Sequence, residues 1–193
     1  MRESFKEYIQ NLPLSDSFKT PILDENFAQN NPTYYQNYPS LFSKVFLVPE
    51  KELELLNIAG YLYYQATIFA DRLVDDQDVS KFPSVLICQE ESIKILTHIY
   101  GLHHNFWQVW NTRKQEYLEA IYLEKSFSKK EYVTIEEYEQ LADKKAAFGK
   151  VAIDCLYCFD NTNIDLYNQL LLSHSYFSVA FQLSDDIRDL KSD

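Results

Sequence analysis

The chain has 193 residues, 46% of them hydrophobic, enough to bury a sizeable core as one domain. Its net charge of −11 argues against nucleic acid or an anionic membrane as a partner. Three glycines and six prolines are too few turn formers for a many-stranded protein, so an all-α architecture of long helices is the expectation.

Residues 1–10 are polar and charged, unlike a secretory signal, and no uninterrupted apolar run is long enough to span a bilayer. An integral membrane protein is therefore not expected. Cys88, Cys155 and Cys158 are an odd number without a disulfide pattern, which suits a reducing cytoplasm, the expected location. Cys155 and Cys158 form a CxxC, but in an apolar helical run with no second ligand pair, so neither zinc nor redox chemistry is expected there.

Taken in order, residues 1–20 are amphipathic and predict one packing helix, while residues 21–39, rich in Asn, Pro and Tyr, read as loop. The first long helix is predicted over residues 49–78, where Glu50, Glu52 and Glu54 suit its N-terminal dipole. Residues 80–83 break it. Residues 84–127 are helical in pattern, as two helices meeting near Gly101. His98, His103 and His104 fall here without a nearby acid to complete a metal set. The next helix is predicted over residues 134–159, opened by Thr134 with Glu137 three residues on, a capping-box arrangement. Residues 161–163 are the turn into a final helix that runs to the chain end. One domain over residues 1–193 is expected, with an N-terminal helix and loop (1–38) before the chemistry-bearing helices (39–193).

Two of these helices change polarity along one face. In the last, Leu183, Ile187 and Leu190 recur on one side. Ser178, Gln182, Asp185, Asp186, Asp189 and Asp193 occupy another arc. Carboxylates three or four apart on a helix repel unless a cation sits among them, and a divalent metal would supply it. In the first long helix, Tyr61, Tyr64 and Ile68 lead up to Asp71, Asp75 and Asp78 at the same spacing. Two such helices, side by side and roughly parallel, would bring both acid clusters to the rim of an apolar cavity. Carboxylate oxygens are hard ligands suited to Mg²⁺, which commonly bridges carboxylates to substrate phosphates. Lys144 heads an arc with Phe148, Val151 and Cys155, charge first and apolar later, as an antiparallel neighbour of those helices should read.

FQLSDDIRD resembles the second aspartate-rich motif of the trans-prenyltransferases, FQxxDDxxD, matching at Phe181, Gln182, Asp185, Asp186 and Asp189. DRLVD at residues 71–75 is similar to that family's first motif, DDxxD, with Arg72 at the second aspartate. DKKAAFGK resembles the Lys-Thr motif that lies between them, with Lys144 or Lys145 as the diphosphate-binding lysine and no threonine. The order and spacing of these motifs fit the class I isoprenoid synthase superfamily.

The resemblance implies a helical bundle with its site between facing helices, and Mg²⁺-assisted ionisation of an allylic isoprenoid diphosphate. Asp71 and Asp75 would hold metal on one side, with Asp76 or Asp78 in support. Asp185 and Asp189 would hold it on the other, supported by Gln182 and Asp186. Lys144 or Lys145, with Gln182, would bind the diphosphate. Tyr64 stands where those enzymes often have a histidine and is a candidate for stabilising a carbocation through its ring.

Lys44 is the only basic residue between Pro21 and Pro49, so the Gly-Lys-Arg-rich motif of chain-elongating enzymes has no counterpart. Asp185, Asp189 and Asp193 also follow the four-and-four spacing of the Asn-Ser-Glu metal triad of terpene cyclases. Together these favour a terpene synthase that rearranges or cyclises one diphosphate. A chain-elongating prenyl diphosphate synthase and a non-catalytic partner subunit are the alternatives. In the family resembled, further helices follow the second motif. A further C-terminal segment, or a homo- or hetero-oligomeric partner covering Leu183, Ile187 and Leu190, is therefore expected.

Overall fold

The computed structural model describes residues 1–127 and 129–189, and every regular element among them is helical. Two compact units form, Met1–His103 and His104–Asp193. No helix among the described residues is long and apolar enough to cross a membrane.

The first unit opens with two short helices rather than one, α1 (Glu3–Gln10) and α2 (Asp16–Lys19). Pro13 lies between them, and a proline disfavours helical geometry in the residue before it and cannot continue the hydrogen-bond ladder. The segment read as loop also holds structure: α3 (Glu25–Asn30), a 3₁₀ turn (Thr33–Asn37) and α4 (Tyr38–Phe42). Asp24 caps α3 by accepting the Asn26 N–H at 2.9 Å. Aromatic packing does the rest, with Phe27 tilted on Phe69 and Tyr35 stacked on Tyr64 at 3.9 Å between ring centroids.

The spine is α5 (Glu50–Asp75) against α6 (Phe82–Tyr100). Leu56, Ala59, Leu62, Ala66 and Phe69 recur at three- and four-residue steps on α5 and are buried, as are Val85, Cys88, Ser92 and Ile95 on α6. A fully buried Leu or Phe contributes about 1.5–3 kcal/mol, whereas a surface ion pair contributes about 0–1 kcal/mol, so the apolar faces hold this pair together. Two buried polar groups of the pair are satisfied: Gln65 Nε2 donates to the carbonyl of Ile22, outside the pair, at 3.0 Å, and Ser92 Oγ of α6 to the Ala59 carbonyl of α5 at 2.9 Å. Gly101, at φ 69°, ends α6 in a conformation that other residues adopt only with strain.

The second unit contains α7 (Phe106–Phe127), α8 (Ile135–Lys145), α9 (Ala147–Phe159) and α10 (Ile164–Asp189). The Thr134–Glu137 capping box is present in both directions at the start of α8. The single helix expected over residues 134–159 is broken at Ala146, whose ψ of 10° lies outside the helical range. Alanine is the best intrinsic helix former, so the break has no local signal. The side-chain pairs at the ends of α8 and α9 belong to tertiary packing, which local propensity does not report.

Pairings fix the direction of α10. Tyr138 of α8 bonds Asp186 while Asp143, further along α8, bonds Ser175. On α9, Gly149 lies against His174 and Asp154 bonds Tyr167. Both orders are reversed, so α10 runs antiparallel to α8 and to α9.

Candidate functional site

The acid end of α5 is shaped by its last turn. Asp76 caps the helix, Gln77 takes a left-handed φ of 54°, and the Asp78 N–H bonds back to the Arg72 carbonyl at 3.4 Å. Asp71, Asp75 and Asp76 are exposed on this end, with Asp71 and Asp75 one turn apart. Asp78 is a cap instead: it accepts from the Ser80 backbone and hydroxyl and pairs with Lys81 at 3.3 Å. Ser80 chiefly, and then Lys81, hold its carboxyl below the ordinary range. Arg72 lies over the Phe27 ring at 5.9 Å.

Tyr64, two turns before Asp71, donates its hydroxyl to Asn31 Oδ1 at 2.9 Å and has one ring face covered by Tyr35. Tyr34, Tyr35, Tyr38, Tyr61 and Tyr64 form a continuous aromatic cluster here. Burial, above all, pushes the Tyr64 phenol well above its ordinary value, so its hydroxyl is a donor at any physiological pH.

On α10 the two adjacent aspartates differ. Asp185 is exposed and pairs with Arg188, itself exposed, at 2.9 Å. Both Asp186 oxygens are engaged: Oδ2 accepts from the Tyr138 hydroxyl at 2.6 Å and Oδ1 from Gln182 Nε2 at 2.8 Å. Burial and then this carboxylate push the Tyr138 phenol upward, which keeps it protonated and donating. Asp189 is the last described residue of α10, and Leu190 and Asp193 lie outside the described residues. Leu183 and Ile187 are 49% and 45% exposed.

Lys144 and Lys145 both reach α7, at Glu119 (2.6 Å) and Glu124 (2.7 Å). The lysine that the fold buries is Lys150, at 6% exposure, paired with Asp143 at 2.7 Å and 3.8 Å from Glu116. Burial by itself would raise the Asp143 carboxyl, but the bonds from Lys150 and Ser175 outweigh it and hold the group low. Beside them His174 is buried, with Ser178 Oγ 3.2 Å from its Nδ1. Burial first, then the Lys150 cation, push the imidazole down to about 4. Arg113 completes this network by gripping Asp154 through two bonds, 2.8 and 3.1 Å, and Glu116 at 3.0 Å.

The sequence reading passed over Asp143, Lys150, Asp154 and His174. One signal was available: Lys150 and Asp154 are two charges four residues apart inside the apolar run FGKVAIDCLYC. Cys155 and Cys158 in that run are thiols rather than a disulfide, and burial pushes Cys158 up to about 11, away from reactivity. His98, His103 and His104 are exposed. Among the described residues no group of three His, Cys, Asp or Glu side chains stands close enough to hold a metal ion.

Neither a protein-family model nor a curated protein matches this sequence. Its fold, however, is the all-α fold of the class I isoprenoid synthases. The chain is similar over 98% of its length to the crystal structure of an isoprenoid synthase family member from Thermotoga neapolitana DSM 4359, of which it covers 80%, with a TM-score of 0.75 at 14% identity.

Proposed function

We propose that the chain is a Mg²⁺-dependent, terpene synthase-like enzyme that ionises an allylic isoprenoid diphosphate and rearranges or cyclises the carbocation. The observation that carries this reading is FQLSDDIRD at the acid end of α10 in a chain with the isoprenoid synthase fold.

The donor chemistry fits the ion. Mg²⁺ is usually held by one or two carboxylates, with phosphate oxygens and water completing an octahedron, so the exposed pair Asp71 and Asp75 is a sufficient protein share on α5. Asp185 and Asp189 are the proposed holders on α10, with Asp193 following one turn later in the sequence. Mg²⁺ bound there would supply Lewis-acid stabilisation to the leaving diphosphate.

In the reaction the allylic C–O bond breaks heterolytically and its electron pair leaves with the diphosphate. Lys144 and Lys145 are the proposed cationic donors to that leaving group. Their present partners Glu119 and Glu124 are half-exposed, and such pairs are worth little in water, so exchanging a carboxylate for a phosphate oxygen costs little. Gln182 holds Asp186 and thereby the acid end of α10. Tyr64, in its aromatic cluster, is the proposed ring whose negative quadrupole would stabilise the allylic cation. The cation then rearranges and transfers a proton to the released diphosphate, giving a diphosphate-free product.

The test is product analysis by mass spectrometry after incubation with Mg²⁺ and a panel of allylic diphosphates, with and without homoallylic diphosphate. A diphosphate-free product from an allylic substrate alone is expected. A longer diphosphate formed only with both substrates would establish chain elongation instead. No product from any combination would establish a non-catalytic subunit, the reading that Arg72 within the first motif favours.

A further inference from the structure

The two adjacent aspartates of α10 stand in different surroundings. Asp186 has a protein donor on each oxygen, one from α8 and one from the preceding turn of its own helix, while Asp185, among the described residues, is exposed and pairs with the exposed Arg188. Each oxygen of the Asp186 carboxylate has already given one of its acceptor positions to a protein donor, so it has fewer lone pairs open to a cation than Asp185 has. An exposed carboxylate held by an exposed arginine gives up little. We propose that Tyr138 is a positioning residue: with Gln182 it makes Asp186 an anchor that fixes the end of α10 on α8, and so aims Asp185 for the cation. This rests on the reading of α10 as a metal-holding helix.

The local construction supports that role. Tyr138 sits in the first turn after the Thr134–Glu137 capping box, where α8 is most firmly closed. Its hydroxyl donates to Asp186 Oδ2 at 2.6 Å, a bond that joins α8 to α10 directly. Metal ligands need their geometry held by supporting hydrogen bonds, and losing such a support typically costs about 10–100-fold in metal affinity.

Two measurements on the full chain test this. The first is Mn²⁺ binding by paramagnetic resonance in the presence of inorganic diphosphate. Tyr138→Phe and Asp186→Ala should each weaken binding about tenfold, and the double variant should be no weaker than either single one. Asp186→Asn should recover most of the Asp186→Ala loss, because an amide accepts from Tyr138 and, with the Gln182 amide turned over, pairs with that group too. Asp185→Asn should not recover the Asp185→Ala loss, since a neutral amide is a poor replacement for an anionic ligand. Recovery in neither case would make Asp186 a ligand and overturn the proposal, as would unchanged binding in Tyr138→Phe.

The second measurement is amide hydrogen exchange across residues 182–189 without metal. Exchange should quicken in Tyr138→Phe and Asp186→Ala and return towards wild type in Asp186→Asn. Unchanged exchange in Tyr138→Phe would overturn the anchor. Failure of the wild type to bind Mn²⁺ would remove the metal-holding reading and the aiming of Asp185 with it, while the exchange result still decides whether Tyr138 anchors α10.

Discussion

A Cβ added to Gly149 on α9 would come within 2.5 Å of Nε2 of His174 on α10. Real Cβ atoms do not approach that closely, so the two helices meet at this point because residue 149 has no side chain. In Gly149→Ala the imidazole, 5% exposed, has to move within a packed interior. Ala would otherwise gain up to about 1 kcal/mol over Gly in a helix, but overpacking costs about 1–3 kcal/mol. A net destabilisation is expected in thermal or urea unfolding. A rise in stability would show that His174 has room to turn away.

His174 also sets a pH dependence. Its folded pKa of about 4 lies below the unfolded value of 6.5, so the unfolded chain binds the extra proton first and stability rises with pH between those values. The contribution is complete above about pH 6.5 and is lost as the pH falls towards 4, a few kcal/mol in all. Lys150 and Arg113 depress the imidazole and Asp143 opposes them, after burial, the first cause. Urea unfolding at pH 4.5 and pH 7 should show a smaller difference in His174→Gln than in wild type. Equal differences would mean that the histidine is not buried neutral.

The Arg113–Asp154 pair is desolvated on both sides, with side-chain exposures of 11% and 1%. Removing one partner of such a pair typically costs about 3–5 kcal/mol. Asp154→Ala should lose that much in urea unfolding, since Arg113 loses both of its bonds to Asp154 and Tyr167 loses its acceptor. Adding Arg113→Met should restore part of the loss. A larger loss in the double variant would show that Arg113 carries stability independently of Asp154.

Arg72 occupies the second-aspartate position of the first motif and lies over Phe27. Arg72→Asp should therefore change the Mg²⁺ dependence of turnover only modestly, while losing about 0.5–1 kcal/mol of stability with the ring contact. A large gain in Mg²⁺ affinity, read by titration, would place residue 72 among the metal ligands.

Asp71→Ala and Asp185→Ala should each abolish turnover of an allylic diphosphate with the circular dichroism of the helices preserved. Both residues are exposed, and thinning a crowd of like charges relieves repulsion rather than adding it. Full activity in Asp185→Ala would end the assignment of α10 as a metal-holding helix.

By itself the sequence determined the helical class, the long helices and their main stops. Those depend on properties that travel with the local chain: apolar residues every three or four places, the Thr134–Glu137 box, Gly101, and the turn at residues 161–163. The acid ends of α5 and α10 were legible for the same reason, and the all-α fold that the resemblance implied is the fold found. What the tertiary structure alone decided is who meets whom. Nothing near Lys144, Lys145 or Lys150 in the chain says that the first two reach Glu119 and Glu124 while the third is buried against Asp143. Nothing near Asp185 and Asp186 says that one is tied to Tyr138, forty-eight residues back, and the other faces water. The break at Ala146, and the helices within residues 21–39, also rest on packing from elsewhere in the chain. Periodicity reports which face of a helix is apolar, but a side chain's partner and its burial depend on the helix laid across it.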